Sequence, residues 1–417
     1  MKIVLINRSD LNGGAAVFTY RLTNAFLKNN IEATMLVTDK KSSSQHVVSY
    51  ANRFKDGFHF LFERLQIFTQ NQLNRKNLFK VDTADFGRDL STHPKVLEAD
   101  VIILNWINQG ALSLNSIQKI CNLGKPVIWT MHDMWCCTGI CHHAYECIKF
   151  KDQCGECPYL SSGRPNDLSR STWHLKKELY TLPNLHFVAV SNWLAEKCKE
   201  SSLLKHHPIH VIPNTTSIND FTFDRLPNED YQIDNSKQII TIGAARLDDP
   251  VKGFPLLLDS LHELKKHYPQ IAQNCHLILY GGIKDPTLLQ LIPIAYTYLG
   301  KVNADAVNRI MAHSDVILST SHFESFGGTL IEGMAAGCIP VTFGNGGQTD
   351  IVTHMTNGYV AHYPSTSDFA KGIVWALSSP VQRAKLHTDM LERFSEHSVV
   401  KQYLQLISKI NTKSLAT

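Results

Sequence analysis

Short apolar runs alternate with longer amphipathic segments along most of the 417-residue chain. A short run rich in β-branched residues is typical of a strand buried on both faces of a parallel sheet, and the amphipathic segments are typical of the helices that cover it. The first half contains the predicted strands KIVLIN, EATMLVT, DVIILNW, PVIWTMH, HFVAVS and IHVIPN. This pattern predicts an α/β fold with helices on both faces of a parallel sheet.

A polar stretch, VIPNTTSINDFTFDRLPNEDYQIDNSKQ, interrupts the alternation, which then resumes with IITIGAA, HLILYGG, TYLGKV, DVILSTS, CIPVTF and GYVAHY. We therefore expect two doubly wound domains, over residues 1–213 and 214–394, with the polar stretch as their linker. Residues 395–417 contain a further predicted helix. Its apolar face must dock, and we expect it to return to the first domain.

The composition is that of a globular protein, with 43% hydrophobic and 19% charged residues. A formal charge of +4 is too small for a dedicated nucleic-acid binder, so we expect no nucleic-acid partner, but it suits anionic small molecules or an anionic membrane. The start, MKIVLINRSD, lacks the apolar core of a signal peptide, and no apolar run reaches the roughly 18 residues of a membrane span. We expect a cytoplasmic protein whose ten cysteines are reduced or metal-bound.

Two glutamates, Glu324 and Glu332, flank a glycine pair in the segment ESFGGTLIEGMAAGCIPV. The run DVILST before it predicts a buried strand, and residues 329–336 predict a helix that ends at Gly337. Glycines at a helix start let an anion or a sugar approach unpaired backbone N–H groups, and carboxylates accept hydrogen bonds from hydroxyls. Taken alone, the pattern is equally typical of an ordinary strand-to-helix turn with solvated acids.

Other strand ends carry further candidates, because ligands of such sheets bind at the carboxyl ends of the strands. In LNGGAAVFTYRL, Gly13 and Gly14 open a helix that could face a phosphate. In GAARLDDPVKGF, Arg246 and Lys252 share one loop, and two cations suit a diphosphate unless they are solvated surface charges. In WTMHDMW, His132 ends a strand, where a lone histidine is more often structural than catalytic.

Together and in this order, these motifs resemble the retaining glycosyltransferases of family 4. The matching elements are NGGAA, HD at 132–133, IPN, the loop from Arg246 to Gly253 and, above all, the E-x7-E element from Glu324 to Glu332. The segment HDMWCCTGICHHAYECIKFKDQCGECPYL further resembles a bacterial subset that builds surface polysaccharides such as capsule, O-antigen or colanic acid. The resemblance implies the GT-B fold, in which two Rossmann-like domains face a cleft and the first domain lies on the acceptor side.

The resemblance also implies how the donor would be held. Arg246 and Lys252 would neutralise its diphosphate, Gly14 would let the first helix approach the phosphate, and Glu332 would hold the ribose hydroxyls. Backbone groups at the start of the second-domain helix would hold the donor sugar and phosphate, at Phe326, Gly327, Gly328 and Thr329. No cofactor is required for catalysis, since cations and helix dipoles replace a divalent ion.

Two residues are implied at the reacting centre. Glu324 would hold the hydroxyls of the transferred sugar, and His132 would line the reacting face. Retention in this family is usually explained by front-face attack, with the leaving phosphate helping to deprotonate the acceptor, so Glu324 is not expected to act as a nucleophile. The sequence departs from its relatives at Asn105 in LNWI, where this subset often carries histidine.

The implied activity is the transfer of a sugar from a UDP- or GDP-sugar to a growing, lipid-linked glycan. Two alternatives remain open at this stage. A sugar-nucleotide epimerase would share the fold and the donor site. An NAD-dependent oxidoreductase would fit two Rossmann-like halves and Asp39 at the end of the second predicted strand, although the full G-x-G-x-x-G spacing is missing.

Residues 53–80, RFKDGFHFLFERLQIFTQNQLNRKNLFK, interleave phenylalanines and leucines with more basic than acidic residues. This pattern is typical of a peripheral surface that would bring the enzyme to the inner face of the membrane and to a lipid-linked acceptor. The alternative is a pair of helices that packs on the core and presents a basic exterior.

Six cysteines crowd into an insertion in the first domain, residues 136–157. Four of them are spaced C-x5-C-x6-C-x2-C, namely Cys141, Cys147, Cys154 and Cys157. A structural zinc held by these four thiolates would keep a polar loop ordered beside His132, and His142 or His143 could replace one of them. The alternatives are reduced structural cysteines and a disulfide formed in an oxidising medium.

Overall fold

The computed structural model describes residues 1–224, 226, 233–234 and 236–414. The chain divides into two compact units. Unit 1 comprises Met1–Asn214 and Val399–Thr417, and unit 2 comprises Thr215–Ser398. The middle of the expected linker, at residues 225, 227–232 and 235, lies outside the described residues.

Unit 1 is built on a seven-stranded sheet whose paired strands all run parallel. Its strands are β1 (Lys2–Ile6), β2 (Glu32–Val37), β3 (Val47–Ser49), β4 (Val101–Leu104), β5 (Val127–Met131), β6 (Leu185–Ala189) and β7 (Ile209–Val211). Their order in the sheet is β3-β2-β1-β4-β5-β6-β7. Every residue of β4 and β5 is buried, as expected for central strands covered by helices on both faces.

In the described residues of unit 1, six helices connect these strands. They are α1 (Gly14–Lys28), α2 (Arg53–Gln70), α3 (Pro94–Glu98), α4 (Leu114–Cys121), α5 (Leu168–Leu179) and α6 (Asn192–Glu200). Two short 3₁₀ turns, Met134–Cys137 and Lys149–Lys151, lie in the cysteine-rich insertion. Segment 53–80 forms one helix followed by turns, so the alternative of a helix pair was wrong about the second helix.

Unit 2 is built on a six-stranded parallel sheet in the order β10-β9-β8-β11-β12-β13. The strands are β8 (Gln238–Arg246), β9 (Cys275–Gly282), β10 (Tyr296–Tyr298), β11 (Val316–Ser319), β12 (Ile339–Phe343) and β13 (Tyr359–Ala361). The helices are α7 (Phe254–His267), α8 (Pro269–Asn274), α9 (Ala304–His313), α10 (Gly328–Ala335), α11 (Thr366–Ser378) and α12 (Arg383–Phe394). The two parallel sheets with their covering helices confirm the predicted α/β class.

The last helix, α13 (Glu396–Ser414), begins in unit 2 and continues into unit 1. Its apolar side chains join the buried cluster that contains Phe26 of α1 and Ile103 of β4. Tyr403 anchors the helix, because its ring meets that of Phe26 edge-on at 5.9 Å and its hydroxyl lies 2.9 Å from the hydroxyl of Thr130. Within the described ranges, none of the helices combines the length and hydrophobicity needed to cross a membrane.

The strand order reverses beside the first strand of each sheet. In unit 1, β1 lies between β2 and β4, and in unit 2, β8 lies between β9 and β11. At such a reversal the neighbouring connections leave on opposite faces, which opens a crevice at the carboxyl ends of the two strands. The loops that follow β1, β4, β8 and β11 are therefore where each unit would hold a ligand.

Candidate active site

The glycine pair of unit 2 opens helix α10. Gly327 caps the helix with φ 104°, in the left-handed region that favours glycine. Among the described residues no side chain caps this end, so its first backbone N–H groups can serve a ligand. Phe326 is buried, with its ring 5.8 Å from that of Phe394, which leaves only its backbone for such a contact.

Lys252 and Glu324 form an ion pair in front of this helix. The ammonium Nζ of Lys252 lies 2.8 Å from Oε2 of Glu324, and the nearby carboxylate raises the pKa of Lys252. Two hydrogen bonds hold their loops together. The backbone N–H of His322 donates to the carbonyl of Val251 at 2.8 Å, and the hydroxyl of Thr320 donates to the carbonyl of Lys252 at 3.1 Å.

Three of the residues predicted to contact the sugar donor line the same cavity, namely Lys252, Glu324 and Thr329. The cavity is open to solvent and holds ≈ 360 Å³ of empty space including that open part. The rest of its wall is formed by Ile242, Gly243, Ala244, Leu247, Phe254, Leu318, Ser319, Thr320 and Ser321. Since the lining residues lie near the carboxyl ends of β8 and β11 or in the segments that follow these strands, the cavity lies at the strand-order reversal of unit 2.

Arg246 ends β8, where the pairing with β9 is irregular between Gly243 and Arg246. Its guanidinium donates to Oδ2 of Asp249 at 2.8 Å, and its Nε lies 3.5 Å from Oδ1 of Asp248. The two aspartates, to which sequence reasoning gave no role, thus hold the cation beside the loop. Gly253 after Lys252 has φ 66°, and a Cβ there would lie 2.1 Å from the carbonyl oxygen of Thr320, so this position requires glycine.

Glu332 lies one turn into α10 and is half-buried. Its charge acts on Tyr280 of β9, because burial and then Glu332 raise the pKa of that phenol well above its ordinary value. The Tyr280 hydroxyl is buried, and within the described part of the chain it has no hydrogen-bond partner. Sequence reasoning missed Tyr280, since the apolar run HLILYGG predicts only a core strand.

In unit 1, His132 follows β5 and meets Asn105, which follows β4. Nε2 of His132 lies 3.1 Å from Oδ1 of Asn105, and burial lowers the pKa of His132 to about 4. The ring is therefore neutral near neutral pH. Asn105, the departure noted in the sequence, is a direct partner of the predicted catalytic histidine.

The next residue, Asp133, belongs to a buried ionic chain that the sequence did not reveal. Nδ1 of His142 lies 2.8 Å from Asp133 and its Nε2 lies 2.7 Å from Asp82. Although burial opposes each charge, Asp133 raises the pKa of His142 to about 10 and His142 lowers that of Asp133 to about 2. The indole of Trp106 also donates to Asp133 at 3.2 Å, so the segment after β5 is held at several points.

Gly13 and Gly14 lie exposed at the start of α1. Gly13 has φ 93°, and a Cβ at either glycine would meet no atom within 4 Å, so a ligand could approach this helix end closely. Asp39 contacts the loop before α1, because its carboxylate accepts a hydrogen bond from Nδ2 of Asn12 at 2.8 Å. It also forms an ion pair with Lys41 at 2.9 Å.

All ten cysteines are free thiols. In the described ranges no three His, Cys, Asp or Glu side chains are grouped so that they could hold a metal ion as they stand. Cys141, Cys147, Cys154 and Cys157 nevertheless line one cavity of unit 1. His142 is not available as a replacement ligand, since both of its ring nitrogens are engaged by carboxylates.

Two family models match the sequence, "Glycosyltransferase Family 4" over residues 12–219 and "Glycosyl transferases group 1" over residues 228–396. A GDP-Man:Man(3)GlcNAc(2)-PP-Dol alpha-1,2-mannosyltransferase of Dictyostelium discoideum is 27% identical over 183 residues, which are 40% of this chain and only 36% of that protein. An uncharacterized glycosyltransferase of Methanocaldococcus jannaschii is 24% identical over 284 residues, or 63% of this chain and 68% of that protein.

The fold is also that of known glycosyltransferases. The crystal structure of Anabaena Alr3699/HepE in complex with UDP and glucose superposes with a TM-score of 0.64 at 17% identity, covering 98% of this chain and 100% of the other. At this identity the similarity establishes the GT-B fold. With both units matched by family models, the predicted resemblance to family 4 is confirmed, and the chain belongs to that family of glycosyltransferases.

Proposed function

We propose that this glycosyltransferase moves a sugar from a nucleoside-diphosphate sugar to a growing glycan of a surface polysaccharide, with retention of configuration and without a divalent metal. The observation that carries the proposal is the Lys252–Glu324 ion pair, 2.8 Å long, which lines a cavity together with Thr329 of the α10 helix start. This arrangement offers a cation and free N–H groups to a diphosphate and a carboxylate to sugar hydroxyls.

The donor would be held as follows. Lys252 and Arg246 neutralise the diphosphate, and the N–H groups of Gly327, Gly328 and Thr329 bind its oxygens and those of the sugar. Glu332, one turn further into α10, accepts hydrogen bonds from the ribose. Fixed cations and a helix end stabilise the charge that develops on the leaving diphosphate, which is the task a divalent ion performs elsewhere.

Retention would follow from attack on the face from which the diphosphate leaves. The acceptor hydroxyl oxygen bonds to the anomeric carbon, the bond between that carbon and the phosphate oxygen breaks, and the departing phosphate takes the hydroxyl proton. Glu324 orients the sugar and forms no covalent bond. In unit 1, His132, neutral near neutral pH, would serve as a hydrogen-bonding group for the acceptor, and the exposed Gly14 leaves the start of α1 open to a phosphate.

The proposed donor is either a UDP-sugar or a GDP-sugar. The Anabaena structure was solved with UDP and glucose, and the name of the Dictyostelium relative specifies GDP-Man. That name also specifies a PP-Dol acceptor, which supports a lipid-linked acceptor for this chain.

Helix α2 supports action at the cytoplasmic face of a membrane. It exposes apolar side chains and buries charged ones, since Phe54 is 92% and Leu61 62% exposed whereas Glu63 and Arg64 are buried. Phe54, Phe58, Leu61 and Leu65 recur at helical spacing and form one exposed face, here called the α2 apolar face. Three exposed lysines and one exposed arginine lie in the same segment, at Lys55, Arg75, Lys76 and Lys80, and such cations attract anionic lipid headgroups.

The test combines binding with product analysis. Thermal shift in the presence of EDTA should show stabilisation by UDP or GDP and none by NAD, because a ligand that binds only the folded state raises the melting temperature. With the matching sugar donor and a lipid-linked acceptor, NMR of the product should show the anomeric configuration of the donor. Stabilisation by NAD alone, or an inverted product, would refute the proposal.

A further inference from the structure

The cysteine-rich insertion contains a set of side chains that the proposed transfer reaction does not use. Four thiols from three separate stretches of this insertion, Cys141, Cys147, Cys154 and Cys157, line a single cavity. Among the described residues that line it there is no histidine and no carboxylate, and the remaining wall is largely apolar or backbone. A group of four thiols around one space has the composition of a structural zinc site.

The backbone of the CGEC segment, which carries two of these thiols, is left-handed at three consecutive residues. Cys154, Gly155 and Glu156 are consecutive residues with φ of 56°, 92° and 43°, and left-handed backbone is unfavourable at residues other than glycine. Two side chains accept hydrogen bonds from backbone N–H groups of this segment. The N–H of Gly155 donates to Oγ of Ser169 at 2.9 Å, and the N–H of Cys157 donates to Oδ2 of Asp167 at 2.7 Å.

The thiols already have some of the support that a metal-bound thiolate needs. Sγ of Cys154 accepts a hydrogen bond from the backbone N–H of Gly139 at 3.3 Å, a contact that would stabilise negative charge on sulfur. Cys141 is fixed by an antiparallel bridge to Val81 and by the hydroxyl of Thr138, which donates to its carbonyl at 2.6 Å.

A buried cation lies next to this group. Lys176 of α5 is fully buried and donates to the carbonyls of Trp135, Thr138 and Gly139 at 2.6, 3.0 and 2.9 Å. In the part of the chain that the structure describes, no carboxylate forms an ion pair with it. A buried charge without a counter-charge is costly. Four thiolates around a divalent ion carry a net negative charge, which would offset the positive charge of Lys176. The two sites are adjacent, since Gly139 contacts both Lys176 and Cys154.

From the shared cavity, the supported backbone and the buried lysine, we propose that Cys141, Cys147, Cys154 and Cys157 bind one zinc ion as a structural site. With the present side-chain conformations, no three His, Cys, Asp or Glu side chains in the described ranges are close enough together to hold a metal ion. Closing it requires rotation of cysteine side chains, each of which has one free torsion. On binding, the four thiols release four protons and the sulfur lone pairs bond to Zn²⁺, with no change of oxidation state.

The proposed zinc would stabilise the segment that carries His132. Cys141 is followed directly by His142, which holds Asp133, and Asp133 is the neighbour of His132. The other buried thiols of the insertion are a separate matter. Cys137 lies 3.0 Å from Cys198 of α6, sulfur to sulfur, and neither residue lines the cavity.

The test is metal analysis of the full-length protein, purified without a histidine tag from zinc-supplemented medium. Wild type should contain stoichiometric zinc by elemental analysis, and the double variant Cys154→Ser/Cys157→Ser should lose it. Cys121→Ser is the matched control, since Cys121 is a buried thiol of unit 1 at the end of α4 and should leave the zinc content unchanged. Metal-free wild type, or a folded double variant that retains its zinc, overturns the proposal.

A second measurement needs no variant and covers the case in which the double variant fails to fold. Wild type is exchanged with cobalt and its absorption spectrum is recorded. Thiolate-to-cobalt charge transfer together with the intense visible bands of a tetrahedral complex is the expected result. A spectrum without thiolate charge transfer assigns any bound metal to other ligands and overturns the proposal.

Discussion

The ammonium of Lys252 and the carboxylate of Glu324 lie 2.8 Å apart, although 72 positions separate them in the chain. The first follows β8 and the second follows β11, the two strands that meet where the sheet order reverses. Before a donor binds, each of these two charged groups is therefore already paired with the other. In the proposed donor site, the diphosphate would compete with Glu324 for Lys252 and the sugar hydroxyls would compete with Lys252 for Glu324, so the two halves of the donor would bind together.

The first prediction concerns Glu324→Gln. The neutral amide can still meet a sugar hydroxyl but no longer attracts Lys252, so the affinity for the bare nucleotide UDP or GDP should stay unchanged or rise. Turnover should fall, on the order of 100-fold, because the lost charge matters most as the bond to the phosphate breaks. Calorimetric binding and steady-state kinetics measure the two effects, and an unchanged kcat would contradict the role of Glu324.

The second prediction concerns the diphosphate itself. Charge-assisted hydrogen bonds contribute roughly 1.5 to 3 kcal/mol, so Arg246→Ala or Lys252→Ala should weaken nucleotide-sugar affinity about tenfold or more. Arg309→Ala, which removes an exposed arginine of the same unit, is the matched control and should bind normally. Equal donor affinity in all three variants would mean that neither Arg246 nor Lys252 binds the donor diphosphate.

The third prediction separates Glu332 from Glu324. A contact with the ribose is the same in the ground state and in the transition state, so its loss raises KM and leaves kcat unchanged. Glu332→Gln should therefore show mainly a raised KM for the donor. A fall in kcat at constant KM would instead put Glu332 near the reacting bond.

The fourth prediction concerns the α2 apolar face. Wild type should co-sediment with anionic vesicles at low salt and dissociate as salt is raised, because headgroup attraction is screened. Leu61→Ser/Leu65→Ser should remain in the supernatant. Leu291→Ser is the control, since Leu291 is a comparably exposed leucine of unit 2, at 54%. If wild type itself stays in the supernatant at low salt, α2 does not bind membranes.

Much of the fold could be predicted because buried parallel strands leave a strong signal. The run DVILST became β11 and CIPVTF became β12, and the helix expected at Thr329 begins one residue earlier, at Gly328. The edge strand β3 was missed, since its three residues, Val47–Ser49, are too few for any periodicity to show.

The partners of the candidate residues could not be predicted, because they are separated in sequence. Nothing local in LNWI indicates that Asn105 meets His132, and nothing in the insertion indicates that His142 joins Asp82 to Asp133. The orientation of α2 was hidden for a different reason. Its sequence is amphipathic, but tertiary contacts bury the charged residues Glu63 and Arg64, which pair with each other at 3.1 Å. The apolar side chains on the opposite face are therefore exposed.

The last prediction follows from His132 and its pH dependence. Burial lowers its pKa from 6.5 to about 4, so between these values the unfolded chain binds a proton that the folded chain does not. Stability from this group is therefore complete above the unfolded pKa and is lost as pH falls toward 4, by at most about 1.4 kcal/mol per pH unit.

His132→Gln should remove this contribution, because glutamine takes up no proton in either state. The difference in unfolding free energy between wild type and variant, measured by urea titration, should shift in favour of the variant as the pH is lowered from 6.5 to 4. Other titrating groups cancel in that difference. His46→Gln, which removes an exposed histidine of the same unit, is the control and should follow wild type. A pH-independent difference for His132→Gln would mean that the histidine is protonated alike in the folded and the unfolded chain, so that burial does not keep its ring neutral.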